Sequence, residues 1–104
     1  MKTIQEQVAD WHRETFPNAT TKAVFNKLNE EVMELMHEIN VADMNNIADL
    51  TKVFNEIADV IIVSCALVSK RGLFVDQVVL SKLEINKKRT WGKEGKDGSK
   101  ERIK

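Results

Sequence analysis

Apolar residues recur three and four positions apart through most of the chain, the spacing that lines one face of an α-helix. The clearest stripe is Val24, Leu28, Val32, Leu35 and Ile39, which predicts a helix from residue 20 or 21 to about 40–42. A shorter helix over about 3–15 carries Ile4, Val8, Trp11 and then Thr15 or Phe16 near one side. Pro17 ends it, because the residue before a proline avoids helical geometry. A third helix is predicted over about 47–69. Asp43-Met44-Asn45-Asn46 supplies a short connection and a capping side chain before it, and Lys70-Arg71-Gly72 closes it with a basic last turn and a glycine. Val78, Val79, Leu83 and Ile85 mark a fourth helix over about 75–88. The pattern predicts an all-α fold, a four-to-five-helix bundle in one domain spanning residues 1–92, followed by a basic, flexible tail over 93–104. No internal repeat or low-complexity linker interrupts it.

The third helix departs from simple amphipathicity. From Ile57 to Val68 apolar residues occupy nearly every side, and a helix apolar all round must be covered all round. Four helices of these lengths can hardly surround one of their own number, so the expected cover is a second subunit, in a homodimer or a dimer of dimers.

Composition narrows the class. Hydrophobic residues make up 42% and charged residues 31% of the 104 positions, which suits a folded helical protein and argues against disorder. The lone cysteine, Cys65, sits in an apolar run and is expected to be a buried small hydrophobe. No signal-peptide pattern and no uncharged membrane-length stretch is seen, so a cytoplasmic protein with no membrane association is expected. Net charge is zero but unevenly spread: residues 1–86 carry −5 and residues 87–104 carry +5. An acidic body with a basic end suits a metal in one part and a polyanion on the other. The basic segment is too short and too poor in aromatics for a stable nucleic-acid partner.

Two acid pairs carry the candidate chemistry, Glu31-x-x-Glu34 on the second helix and Glu56-x-x-Asp59 on the third. A three-residue step turns a helix by about 300°, so each pair projects from neighbouring positions one turn apart. On the second helix, Glu31, Glu38, Lys27 and Glu34 lie at about −60°, −80°, −100° and −120° from Leu28, a polar row bordering the apolar stripe. Glu56 and Asp59 share their side of the third helix with Val60 and Val63. Lys52, one turn earlier, is positioned for an i, i+4 ion pair with Glu56. Four carboxylates gathered by two facing helices repel one another unless a hard cation sits among them. An oxygen-only set favours Mg²⁺, with Mn²⁺ as a substitute, over iron or zinc. Glu34-x-x-His37 matches half of a di-iron carboxylate pattern, but the other half has no histidine, which leaves His37 as a surface or interface residue. No nucleophile constellation and no glycine-rich phosphate loop is visible, so the chemistry expected is metal-assisted attack by water.

Lys27-Leu28-Asn29-Glu30-Glu31-Val32-Met33-Glu34-Leu35, followed by Glu56-Ile57-Ala58-Asp59-Val60, resembles the MazG-like all-α nucleoside triphosphate pyrophosphohydrolases. Their hallmark is Glu-x-x-Glu, a gap of variable length, then Glu-x-x-Asp on the next helix. Lys82-Leu83-Glu84-Ile85-Asn86-Lys87-Lys88-Arg89 is similar to the family's Lys-xxx-Asn-xx-Arg segment, and the resemblance spans about residues 20–92. It implies a bundle of the all-α NTP pyrophosphatase type, completed by dimerisation. It also implies Mg²⁺-dependent hydrolysis of a (deoxy)nucleoside triphosphate to the monophosphate and pyrophosphate, in nucleotide pool control or house-cleaning. Carried over by position, Glu31, Glu34, Glu56 and Asp59 hold the metal and serve catalysis, while Lys82, Asn86 and Arg89 grip phosphates with Lys27 assisting. The competing readings are a non-enzymatic helical interaction module, a metal-carboxylate oxidoreductase, and, within the family, a phosphoribosyl-ATP pyrophosphatase.

Overall fold

Side chains next to each turn fix where the helices begin. The Thr3 hydroxyl accepts from the Glu6 amide and the Glu6 carboxylate accepts from the Thr3 amide, each at 3.1 Å, a reciprocal cap that starts α1 (Ile4–Thr15). The Thr20 hydroxyl accepts from Ala23 at 3.1 Å and starts α2 (Thr21–Val41). Asn46 does the same for Asp49 at 3.1 Å and starts α3 (Ile47–Lys70). At the end of α3 the Gly72 amide donates to Ser69 and the Leu73 amide to Val68, with Gly72 at φ +74°. That is the left-handed helix stop the Lys-Arg-Gly sequence predicts.

The computed structural model describes residues 1–103, and the last residue of the predicted tail, Lys104, lies outside the described residues. The remaining helix, α4 (Val75–Lys87), has no side-chain cap of its own. Gln5 on α1 replaces it: its Oε1 accepts from the Val75 amide at 2.7 Å, and its Nε2 donates to Leu73 O at 2.8 Å and to Ser69 Oγ at 2.9 Å. After α4 the chain doubles back, with an antiparallel bridge between Trp91 and Arg102 and a turn at Gly98, φ +85°. Among the described residues there is no other β-pairing. No helix among them is long and apolar enough to cross a membrane.

The five-residue link between α2 and α3 makes them an antiparallel hairpin, packed together along their length, with α1 against α3. The core is small: Val8, Cys65 and Ala66, flanked by Ile62 and Val75. Of the stripe on α2 only Val24 is buried; Val32 and Ile39 are exposed, because α1 packs on α3 and leaves that flank of α2 bare. Ile4 at the start of α1 is likewise exposed. On α3, Cys65, Ala66 and Leu67 are buried, yet Ile61 remains 52% exposed. The α4 helix has no buried residue and makes few contacts with α3. The chain's radius of gyration is 16.7 Å, against about 13 Å for a closed globule of its length. Its accessible area is 8419 Å², against about 6,000 Å² for a monomeric protein of its mass.

Candidate active site

The hairpin brings the acid pairs to one level. Glu31 lies ten residues before the end of α2, and Glu56 and Asp59 lie nine and twelve residues after the start of α3. At 1.5 Å per residue all three stand about 15 Å from the connecting loop. Glu31, Glu56 and Asp59 each offer an oxygen within 4.8 Å of the other two. Oxygens bound to one Mg²⁺ at about 2.1 Å lie no more than about 4.2 Å apart, so small side-chain rotations bring the three into ligating positions.

Burial tests whether a cation fits this group. Glu31 is 7% exposed, the one buried charged residue among those described. Its Oε1 is paired with Lys27 Nζ at 3.2 Å, while Lys27 also reaches Glu30 at 3.4 Å. Glu31 Oε2 and Glu56 Oε2 are buried with no hydrogen-bond partner among the described residues. A buried carboxylate oxygen without a donor is expensive, and a hard cation between the two removes that penalty. Glu56 feels the crowding most. Burial pushes its carboxyl above the usual range, and the charges of Glu34, Asp59, Glu31 and Glu38 push it further. The Lys27 ammonium is also held above its usual pKa, its charge stabilised first by the Glu31 carboxylate. The ion pair expected between Lys52 and Glu56 does not form; Lys27, on the facing helix, is the cation at the site.

Neither a family model nor a curated protein matches the chain at a significant level. Among solved structures it is similar to a cyanophage S-2L protein described as a MazG-like pyrophosphohydrolase bound to dGDP and three catalytic Mn²⁺ ions per active site. The two share 27% identity, over 96% of this chain and 93% of that one, with a TM-score of 0.64. The chain has a MazG-like all-α fold. Its four helices, with acids meeting where α2 and α3 face one another, agree with the all-α fold read from the sequence.

Within this MazG-like frame the sequence-predicted residues divide. Glu31, Glu56 and Asp59 come together. Glu34 is exposed and stands outside that group, yet its charge acts on Glu56 more strongly than any other neighbour's. Lys82 is exposed; Arg89 donates to Asn86 Oδ1 at 2.9 Å, and the Trp91 indole donates to Asn86 O at 3.3 Å. None of these residues on α4 and just after it is among the charges acting on Glu56, and none borders the cavity beside Glu31 and Asp59. That cavity, about 390 Å³, was not foreseen: it opens between α1 and the hairpin and is walled by Trp11, His12 and Phe16. The signal was present in the sequence as three aromatic rings within six residues, of which Trp11 and Phe16 were placed near one side of the first helix. His37 is exposed and outside the acid group.

Proposed function

We propose that this chain is a nucleoside triphosphate pyrophosphohydrolase that depends on Mg²⁺, with Mn²⁺ able to substitute. The observation that carries the reading is the pair of buried, unpartnered oxygens on Glu31 and Glu56, beside Asp59. Support comes from the S-2L protein, whose site holds a nucleotide and Mn²⁺. In this reading Glu31, Glu56 and Asp59 hold the cation, with Glu34 joining by a side-chain rotation from the adjacent turn. The bound cation supplies charge neutralisation of the triphosphate and lowers the pKa of the attacking water. A carboxylate of the group orients that water toward the α-phosphorus and takes its proton, and Lys27 meets charge on the phosphates. The leaving group is pyrophosphate.

Lys82 and Asn86 on α4, with Arg89 just beyond its end, complete the phosphate grip. Because α4 leaves its own hairpin, this role is assigned in a homodimer or a dimer of dimers, where α4 of one copy reaches the acids of another. The roughly 2,500 Å² of accessible area above that of a closed monomer is of the size an obligate interface removes. A cytoplasmic role in nucleotide pool control or house-cleaning follows from the reaction.

Pyrophosphate release from the common NTPs and dNTPs, with and without Mg²⁺, tests the reading. At least one should yield a monophosphate and pyrophosphate, and only with the cation present. Absence of turnover with every nucleotide would favour a helical interaction module, and orthophosphate as the product would reject attack at the α-phosphorus.

A further inference from the structure

Within its own chain α4 is held at its foot and almost nowhere else. It has no buried residue, and it touches α3 only sparsely. Val75, its first residue, packs against the core. The turn before it is exposed and contains Gly72, at φ +74° with nothing within 4 Å of where a Cβ would stand. A helix held at one point after so free a turn can swing about that point.

Gln5 supplies a second point. It is half-buried on α1, one turn before the core residue Val8. Both ends of its carboxamide are engaged: Oε1 accepts from the Val75 amide at 2.7 Å, while Nε2 donates to Leu73 O at 2.8 Å and to Ser69 Oγ at 2.9 Å. One planar group therefore joins the last turn of α3, the connecting turn and the start of α4. Capping α4 needs only the acceptor, because a helix N-terminus presents bare N–H groups. The two donated bonds do something else: they fix where the chain leaves α3 and so the direction α4 takes.

That direction matters further along. Lys82 and Asn86 lie seven and eleven residues beyond Val75, about 10 and 16 Å along the axis. A swing of about 10° at the foot carries them sideways by about 2 and 3 Å, and a misplacement of about 1 Å is enough to cost about 100-fold in rate. Resting on the pyrophosphohydrolase reading, which puts Lys82 and Asn86 on the phosphates, we propose that Gln5 is a positioning residue. By setting the direction of α4 it brings those two side chains to the triphosphate.

The test measures binding of a non-hydrolysable α,β-methylene deoxynucleoside triphosphate with Mg²⁺, and of Mn²⁺ to the nucleotide-free protein. Wild type, Gln5→Met, Lys82→Met and the double variant are compared. Gln5→Met keeps the side chain's length and removes all three bonds. It should weaken analogue binding by about 10-fold or more and leave Mn²⁺ binding unchanged, since the acids stand on the α2–α3 hairpin. Lys82→Met should cost about 10-fold in the wild type but less than about 3-fold in Gln5→Met, where the lysine is already out of place. A helix cap alone would leave both the analogue affinity and the contribution of Lys82 unchanged, and either result overturns the proposal. Equal losses of analogue and Mn²⁺ overturn it too. Should Gln5→Met fail to fold, Gln5→Glu, which keeps an acceptor for Val75 but loses the donor to Leu73, is read in the same way. No analogue binding by the wild type would instead count against the pyrophosphohydrolase reading. The direction of α4 is then read from spin labels on Lys22→Cys and Glu84→Cys, with Cys65→Ala, in full-length chains diluted with unlabelled protein. One narrow distance that broadens on Gln5→Met supports the role of Gln5, and an unchanged distribution overturns it.

Discussion

The surroundings of Glu56 raise the cost of its charge, and that has a measurable consequence without any assay of activity. Its pKa in the folded chain is raised by burial and by Glu34, Asp59, Glu31 and Glu38. A raised carboxylate pKa means the folded state binds the proton more tightly than the unfolded state. The associated stability is fully present below the ordinary carboxylate pKa and is lost as pH rises through the raised value. In metal-free buffer at neutral pH, Glu56→Gln should therefore melt at or above the wild type, and the difference should shrink as the solution is acidified toward the ordinary carboxylate pKa. Saturating Mg²⁺ should reverse the order, stabilising the wild type by mass action and leaving the variant nearly unmoved. Calorimetric melting of both proteins across pH, with and without Mg²⁺, checks all three expectations. A variant less stable than the wild type in metal-free buffer at neutral pH would mean that the crowding of acids is relieved within the chain itself.

At the scale of elements, the helix starts at Thr3, Thr20 and Asn46 were legible because a cap is a local event, settled within three residues. The meeting of Glu31 with Glu56 and Asp59 was legible too, because a short loop makes distance along the chain a measure of height in an antiparallel hairpin. The cap on α4 was not. Gln5 reaches Val75 across seventy positions, and nothing in the local sequence at Phe74 announces it. Gln5→Ala should remove all three bonds and destabilise the fold by about 1–3 kcal/mol, read by urea denaturation. Gly72 acts through conformation rather than contact: φ is +74° and nothing lies within 4 Å of where a Cβ would stand. Gly72→Ala should accordingly cost about 1–2 kcal/mol in left-handed strain, with no clash to relieve.

At the scale of the whole molecule, large apolar side chains stand open to solvent on α2, α3 and α4. Phe54 and Ile61 on α3, Met33 and Met36 on α2, and Val79 and Leu80 on α4 are all exposed in the single chain. The all-apolar stretch of α3 led the sequence to predict cover by a second copy, but no helical pattern within one chain specifies where α4 goes. Light scattering at micromolar concentration should give a dimer or tetramer mass; a monomer would remove the route by which Lys82, Asn86 and Arg89 come to the acids. The central claim is narrower, that Glu31, Glu56 and Asp59 hold the cation on which triphosphate cleavage depends. Pyrophosphate release by Glu56→Gln beside the wild type, in one Mg²⁺ buffer and on the best nucleotide substrate, tests it most directly. The variant should lose at least about 100-fold in rate while keeping its helical spectrum. A rate within a few-fold of the wild type would contradict the claim.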